Sequence, residues 1–105
     1  MAKPKHRVVI LRHDNRWRVS PSPLHVKAGE VVEFISNETE AVIHFPDPSI
    51  FEESEIRLEG ASASRRKHVT VKPDRSTVGS WVYSVYCAAT REFAEGTSSP
   101  IIIMP

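Results

Sequence analysis

Two side chains offer the most chemistry in this sequence, and each stands in a short apolar run. His44 belongs to the run 41–45, and Cys87, the single cysteine, closes the run 81–87. A thiolate and an imidazole together bind transition metals, and the same pair can act as a nucleophile with its base. The residue types therefore point to two chemistries, metal binding and thiol catalysis.

The segment after Cys87 supplies the remaining candidates. Glu92 and Glu95 are carboxylates that could complete a metal site with His44 and Cys87. Carboxylate ligands disfavour Cu(I), so such a site would bind metal rather than carry electrons. Arg91 and Phe93 instead combine a charge with an aromatic ring, which is typical of protein-docking loops. We predict an interaction loop at Arg91 and Phe93, with the metal site as the alternative.

The elements that position these residues read as strands. Apolar, β-branched runs at 8–11, 31–36, 41–45, 68–71, 81–86 and 101–103 are separated by Pro, Gly and polar loops. Two shorter extended pieces, 17–19 and 24–26, lie on either side of the Pro21 and Pro23 segment. The stretch 50–58 stays ambiguous, because its glutamates suit a helical turn whereas Ile56 and Leu58 alternate as in a strand. Seven or eight short strands predict an all-β, antiparallel or mixed sandwich of the Greek-key type. The expected core consists of Val9, Leu11, Val32, Phe34, Ile43, Val69, Val71, Tyr83, Val85 and Ile102.

Length and charge limit the alternatives. The 105 residues predict one domain spanning 1–105, and 14 Lys+Arg against 13 Asp+Glu give a net charge of +1. Because nucleic acid and anionic lipid need a concentrated basic surface, we expect neither as a partner. The first apolar run is too short for a signal peptide. We expect a cytoplasmic protein as the sequence stands, or a periplasmic or extracellular one if an export signal has been removed.

The segment 26–37, followed by His44 and then by Gly79 with the run 83–87, resembles the cupredoxins, copper proteins of the plastocyanin and azurin kind. The resemblance covers roughly residues 24–105. It implies a cupredoxin-like sandwich and a copper site made of two imidazoles, one thiolate and usually a long axial Met. In this resemblance His44 and Cys87 match the first His and the Cys.

The remaining two ligands of that family have no counterpart. The family places its second His a few residues after the Cys, where this chain has Thr90 or Arg91, and the last His in the chain is His68. Thr97, next to Gly96, stands near the position of the Met. Since two protein ligands are too few to hold copper tightly, we expect the fold to be kept without the type 1 copper site. No cofactor is expected, and copper is the alternative.

These observations predict a non-catalytic binding or interaction module whose partner is a protein or a small ligand and whose oligomeric state stays open. The alternative is a copper-binding or electron-transfer protein that uses His44 and Cys87 with unconventional additional ligands. An immunoglobulin-like adhesion domain is a third possibility. We expect no enzyme, because no orienting acid or oxyanion-hole motif accompanies the Cys and His.

Overall fold

The computed structural model describes residues 4–47, 50–51, 53–72, 79–95 and 100–104. Its strands are β1 (His6–His13), β2 (Arg16–Ser20), β3 (Leu24–His25), β4 (Val31–Ser36), β5 (Ala41–His44), β6 (Glu55–Leu58), β7 (Arg66–Thr70), β8 (Gly79–Val82), β9 (Ser84–Cys87), β10 (Glu92–Phe93) and β11 (Ile101–Met104). Within these ranges the only helical element is a 3₁₀ turn, Ser62–Ser64. None of the described segments forms a helix long and apolar enough to cross a membrane.

One layer of the sandwich is the sheet with strand order β2-β1-β4-β7, which we call the first sheet. A two-residue turn joins β1 to β2, and its residues Asp14 and Asn15 have φ angles of 51° and 60°. Positive φ at both positions matches the twist of the two strands, and Asp and Asn adopt it at low cost. β4 lies parallel to β1 and antiparallel to β7.

The opposing layer combines two sheets, β10-β9-β5-β6 and β3-β11-β8. β8 and β9 are two halves of one extended run that is interrupted at Tyr83. β8 pairs with β11, whereas β9 pairs with β5 and β10. This run therefore connects the two sheets and carries Cys87 to one end of the sandwich.

The core lies between the layers and is rich in aromatic side chains. The Phe34 ring contacts those of Phe45, Phe51 and Tyr83 in edge-to-face geometry, with centroids 6.1, 6.4 and 6.1 Å apart. Such arrangements place the positive ring edge against the negative ring face and stabilise the core beyond simple area burial. Trp17 and Trp81 are also buried, each 5% exposed. Both Trp side chains belong to the core and not to an external aromatic surface.

The all-β class is confirmed, and the strand count is higher than expected. Eleven strand segments occur within the described ranges, and this number includes the two-residue strands β3 and β10 and counts β8 and β9 separately. The ambiguous stretch ends in strand β6, and Ile50 and Phe51 before it are buried. Glu52 of that stretch, together with Gly96 and Thr97 after Cys87, lies outside the described residues.

Eight of the ten expected core residues are buried. The prediction is wrong for the other two, Val9 and Leu11, which point outward and are half-buried. Val8 and Ile10 face the core instead, each 0% exposed. The run 8–11 is apolar throughout, so it contains no alternation that could set its phase. β1 is an inner strand, and Val9 and Leu11, which point outward from it, are half-buried.

Candidate functional site

Cys87 is the last residue of β9, and it lies between Ala41 of β5 and Glu92 of β10 in the strand register. Its side chain points into the core, where it is fully buried. Burial, together with the nearby Glu92 carboxylate, raises the pKa of Cys87 to about 11, against an opposing effect of the Arg12 guanidinium. The thiol is therefore protonated at neutral pH, which makes it a poor nucleophile.

His44 lies at the other end of the same strand pair. It is opposite Ser84 in the register, three residues from Ala41, so its backbone is roughly 10 Å along the strand from the position of Cys87. The burial of β5 alternates, with Ile43 inward and His44 exposed. Since Cys87 faces inward, the two candidate ligands project to opposite faces of the sheet. The structure does not bring His44 and Cys87 together.

The two candidate carboxylates occupy different positions. Glu92 lies directly across from Cys87 on β10 and is exposed. Glu95 turns back toward the first sheet, where its Oε1 accepts a hydrogen bond from the Val19 N–H at 2.8 Å. Glu92 therefore stands beside the thiol, whereas Glu95 is engaged by a backbone group.

The end of the sandwich beside Cys87 is closed by contacts that we call the hairpin clamp, formed by Trp17, Val19, Thr90 and Glu95. Trp17 Nε1 donates to Thr90 Oγ1 at 2.6 Å, and the Glu95 N–H donates to the Trp17 carbonyl at 2.9 Å. With the Val19–Glu95 bond, three hydrogen bonds tie the β1–β2 hairpin to the segment after Cys87. Thr90 and Glu95 of that segment are therefore engaged by the protein itself.

Arg12 adds a positive charge at this end. Its guanidinium lies over the Trp17 ring, 5.0 Å from the centroid, and its backbone N–H donates to Glu38 Oε2 at 2.8 Å. Its Nη1 is buried and has no hydrogen-bond partner within the described ranges. The segment after Cys87 is also bonded to the loop before β5, where Thr39 Oγ1 accepts a hydrogen bond from the Ala89 N–H at 2.9 Å.

The described residues do not bring together the four ligands of a type 1 copper site. The Arg12 guanidinium acts on Cys87 with a positive charge, and oxygens of Thr39, Thr90 and Glu95 at this end accept hydrogen bonds from the protein. No group of three or more His, Cys, Asp or Glu side chains that could hold a metal ion occurs in the part of the chain that the structure describes. A borderline metal needs several converging soft or imidazole donors, and the two candidates of that kind, Cys87 and His44, project to opposite faces of the sheet.

The outer face next to this end carries an aromatic stripe, which we define as Phe93, Tyr86 and Val42. These residues follow one another across β10, β9 and β5 in the strand register. Phe93 is 57% exposed, and its ring contacts that of Tyr86 edge-to-face at 5.4 Å. Arg91 precedes Phe93 by two residues, is exposed, and has a φ of 56°. Phe93 of the predicted interaction loop therefore belongs to an apolar surface together with Tyr86 and Val42. The charged residue of that loop, Arg91, lies two positions before Phe93.

The fold defined by these two layers is that of the cupredoxins. The oxidized form of an amicyanin mutant matches 100% of this chain and 86% of its own with a TM-score of 0.58 at 16% sequence identity. The oxidized plastocyanin of Dryopteris crassirhizoma matches over 94% of this chain and 99% of its own, with a TM-score of 0.58 and 20% identity. The Cu(I) form of a second amicyanin mutant matches over 100% of this chain and 86% of its own, with a TM-score of 0.58 at 16% identity. No family model and no curated protein sequence matches the chain.

The sequence pattern did not predict the residues that close the Cys87 end. Trp17 and Thr90 are 73 positions apart in the chain, and Val19 and Glu95 are 76 apart. Their pairing follows from strand order, which no local pattern encodes. The polar character of the segment after Cys87 was the one local signal that this segment forms hydrogen bonds. It did not indicate that Trp17 and Val19 are the residues to which the segment is bonded.

Proposed function

We propose that the protein is a non-catalytic, cupredoxin-like binding module that engages a protein partner through the aromatic stripe and Arg91, without a type 1 copper centre. The observation that carries this proposal is the exposure of Phe93 on an anchored segment. An aromatic ring held in place before binding loses little conformational entropy when a partner covers it. Exposed aromatic and arginine side chains are the types that contribute most to binding at protein interfaces.

The segment that presents Phe93 is fixed on both sides. Thr90 is held by Trp17, and Ala94 is 3% exposed, with its N–H bonded to the Val85 carbonyl at 2.8 Å. Glu95 then continues into the hairpin clamp. The two aromatic rings therefore project from a rigid support and can form a defined contact surface.

Two features support the non-catalytic part of the proposal. The pKa of the Cys87 thiol is raised to about 11, and the thiol is fully buried. The only imidazole on β5, that of His44, lies on the opposite face and cannot accept the thiol proton. A thiol that stays protonated and lacks a base does not serve as a nucleophile.

Copper binding is the alternative function, because an amicyanin mutant, one of the matching structures, has a Cu(I) form. In this chain such a site would have to use Cys87 and Glu92, the two candidates that the register places opposite each other. A thiolate and a carboxylate prefer different copper oxidation states, so this pair would be a poor electron carrier. A copper titration that records the visible absorption spectrum separates the two functions.

The binding proposal is tested by quantitative pull-down from a lysate of the source cells with the wild type, Phe93→Ser and Arg91→Ala. Val82→Ser is the matched control, because Val82 is 53% exposed but lies four residues from Tyr86 along the β8–β9 run. We expect Phe93→Ser to reduce capture of a specific partner about tenfold or more, as for a hot-spot residue, and Val82→Ser to retain it. Identical partner profiles for all variants, with unchanged thermal unfolding, would remove the stripe from consideration.

A further inference from the structure

The outer face of the first sheet concentrates positive charge to a degree that the net charge conceals. Its outward side chains are Arg16, Arg18 and Ser20 on β2, Arg7, Val9, Leu11 and His13 on β1, Val31, Glu33 and Ile35 on β4, and Arg66, His68 and Thr70 on β7. We call this surface the arginine face. It holds four arginines and one glutamate, whereas the whole chain has a net charge of only +1.

The single carboxylate of the arginine face is already neutralised. Glu33 is 6% exposed, its Oε1 accepts from Arg7 Nε at 3.2 Å, and its Oε2 lies 2.9 Å from His68 Nε2. Asp14 and Glu30 stand at the two ends of the sheet, where each faces a histidine, His13 or His6. Arg66 is also close enough to Glu33 for its charge to contribute to the lowered pKa of that carboxyl, but only Arg7 of the four arginines forms a direct ion pair with an acidic group in the described ranges.

The other arginines of this face are available to a partner. Arg16, Arg18 and Arg66 are exposed, and none makes an ion pair or hydrogen bond to another side chain in the described ranges. Exposed guanidinium groups without an ion pair attract carboxylates, and they bind a carboxylate through two parallel hydrogen bonds. Between them, Val9 and Leu11 are half-buried and add some apolar surface to the face, whereas Ile35 is already covered.

We propose that the arginine face is a docking site for an acidic segment of a partner protein. Arg16 and Arg18 are alternate residues of one strand, so they repeat at about 7 Å. Alternate acidic residues of an extended peptide repeat at the same distance. The face therefore matches such a segment in both charge and spacing. This proposal does not depend on the aromatic stripe, which lies on the other layer.

Two other classes of anionic partner fit less well. Single-stranded nucleic acid is bound largely by stacking of bases on aromatic side chains, and the outward positions of this face carry none. Basic residues alone attract anionic lipid weakly, and firmer membrane binding also uses large apolar side chains that insert. The exposed large hydrophobic residues of the described chain, Val82 and Phe93, both belong to the opposite layer.

Binding of a short fluorescein-labelled polyglutamate peptide, followed by fluorescence anisotropy at low and at higher salt, tests the proposal. The variants are Arg18→Gln and Arg66→Gln, and Arg57→Gln is the matched control, because it removes the same charge from the other layer. We expect each of the first two to weaken binding about two- to fivefold and added salt to weaken it further. Arg57→Gln should leave the affinity unchanged. Amide chemical-shift changes should map to β1, β2, β4 and β7.

Three results would overturn the proposal. The first is no peptide binding at low salt, and the second is an equal loss with Arg57→Gln, which would indicate attraction to net charge only. The third is tighter binding of oligothymidylate or of phosphatidylserine vesicles than of the peptide, which would assign the face to another class of partner. Because the substituted arginines are exposed, the variants should fold like the wild type. If Arg18→Gln loses peptide binding but still captures the partner of the aromatic stripe in the pull-down, the arginine face and the aromatic stripe bind independently.

Discussion

At the scale of single residues, the character of Cys87 depends on its surroundings and not on its type. The sequence placed it correctly at the end of an apolar run, where its type indicated a metal ligand or a nucleophile. The raised pKa follows from burial and from Glu92, and Glu92 reaches it only because β10 folds back onto β9. The sequence therefore predicted where the thiol lies but not its protonation.

Alkylation of Cys87 provides the first test at this scale. With the pKa raised from 9.0 to about 11, the thiolate fraction near neutral pH falls by about two orders of magnitude. We expect iodoacetamide to modify the folded protein at least about 100-fold more slowly than the urea-unfolded chain, measured by mass spectrometry of the intact protein. The unfolded chain supplies the control. A folded-state rate equal to or above the unfolded rate would contradict the buried thiol.

Glu33 is the second residue whose role depends on its partners. Burial alone would raise the pKa of this carboxyl, but hydrogen bonds from His68 and Arg7 outweigh that effect and hold it below its ordinary value of 4.5. The pKa of Glu30 is lowered as well, chiefly by its hydrogen bond with His6. A carboxyl whose pKa is lowered in the folded protein stabilises that protein at any pH above the ordinary pKa of the group. This stabilisation is lost as the pH falls through the folded pKa.

We therefore expect stability to fall steeply as the pH drops below about 4.5, and less steeply in Glu33→Gln. At neutral pH the same substitution should lower the free energy of unfolding by about 1–2 kcal/mol, because it weakens two charge-assisted hydrogen bonds. Urea unfolding between neutral pH and about pH 3 measures both effects. The surface variant Glu59→Gln should change neutral stability by less than about 0.5 kcal/mol. Parallel stability profiles for the wild type and Glu33→Gln would rule out this role.

At the scale of elements, the hairpin clamp closes the end of the sandwich beside Cys87. The β1–β2 hairpin and the segment after Cys87 are distant in the chain, yet three hydrogen bonds join them. The strands themselves could be predicted, because β-branched runs between Pro and Gly carry the signal. The register of the strands could not be predicted from the sequence. It determines that His44 faces solvent. It also determines that Val8 and Ile10 face the core in place of Val9 and Leu11.

The clamp predicts a specific loss in Thr90→Val. This substitution removes the acceptor of the Trp17 indole N–H and leaves that buried donor without a partner. We expect the free energy of unfolding to fall by about 1–2 kcal/mol. Hydrogen exchange measured by mass spectrometry should become faster in residues 88–95. Thr70→Val, at an exposed position of β7, is the control and should change neither quantity. Unchanged exchange in Thr90→Val would mean that the clamp does not hold the segment.

At the scale of the whole molecule, function depends on how the two layers distribute charge and apolar surface. One layer presents the arginine face and the other presents the aromatic stripe, although the chain as a whole is almost neutral. Composition alone argued against any strongly charged surface, because it averages over both layers. Strand alternation and sheet order separate the charges, and these are properties of the fold. The fold class was predictable from the pattern of short strands, whereas these two surfaces were not.

In the proposed function, hydrogen bonds within the protein close the end of the cupredoxin fold beside Cys87, and no type 1 copper centre forms there. The most direct test is to titrate the reduced protein with Cu(II) and to record the visible absorption spectrum, with Cys87→Ala as the control. We expect no intense thiolate-to-copper charge-transfer band in either protein. An intense band that appears in the wild type at stoichiometric copper and is absent from Cys87→Ala would contradict this proposal.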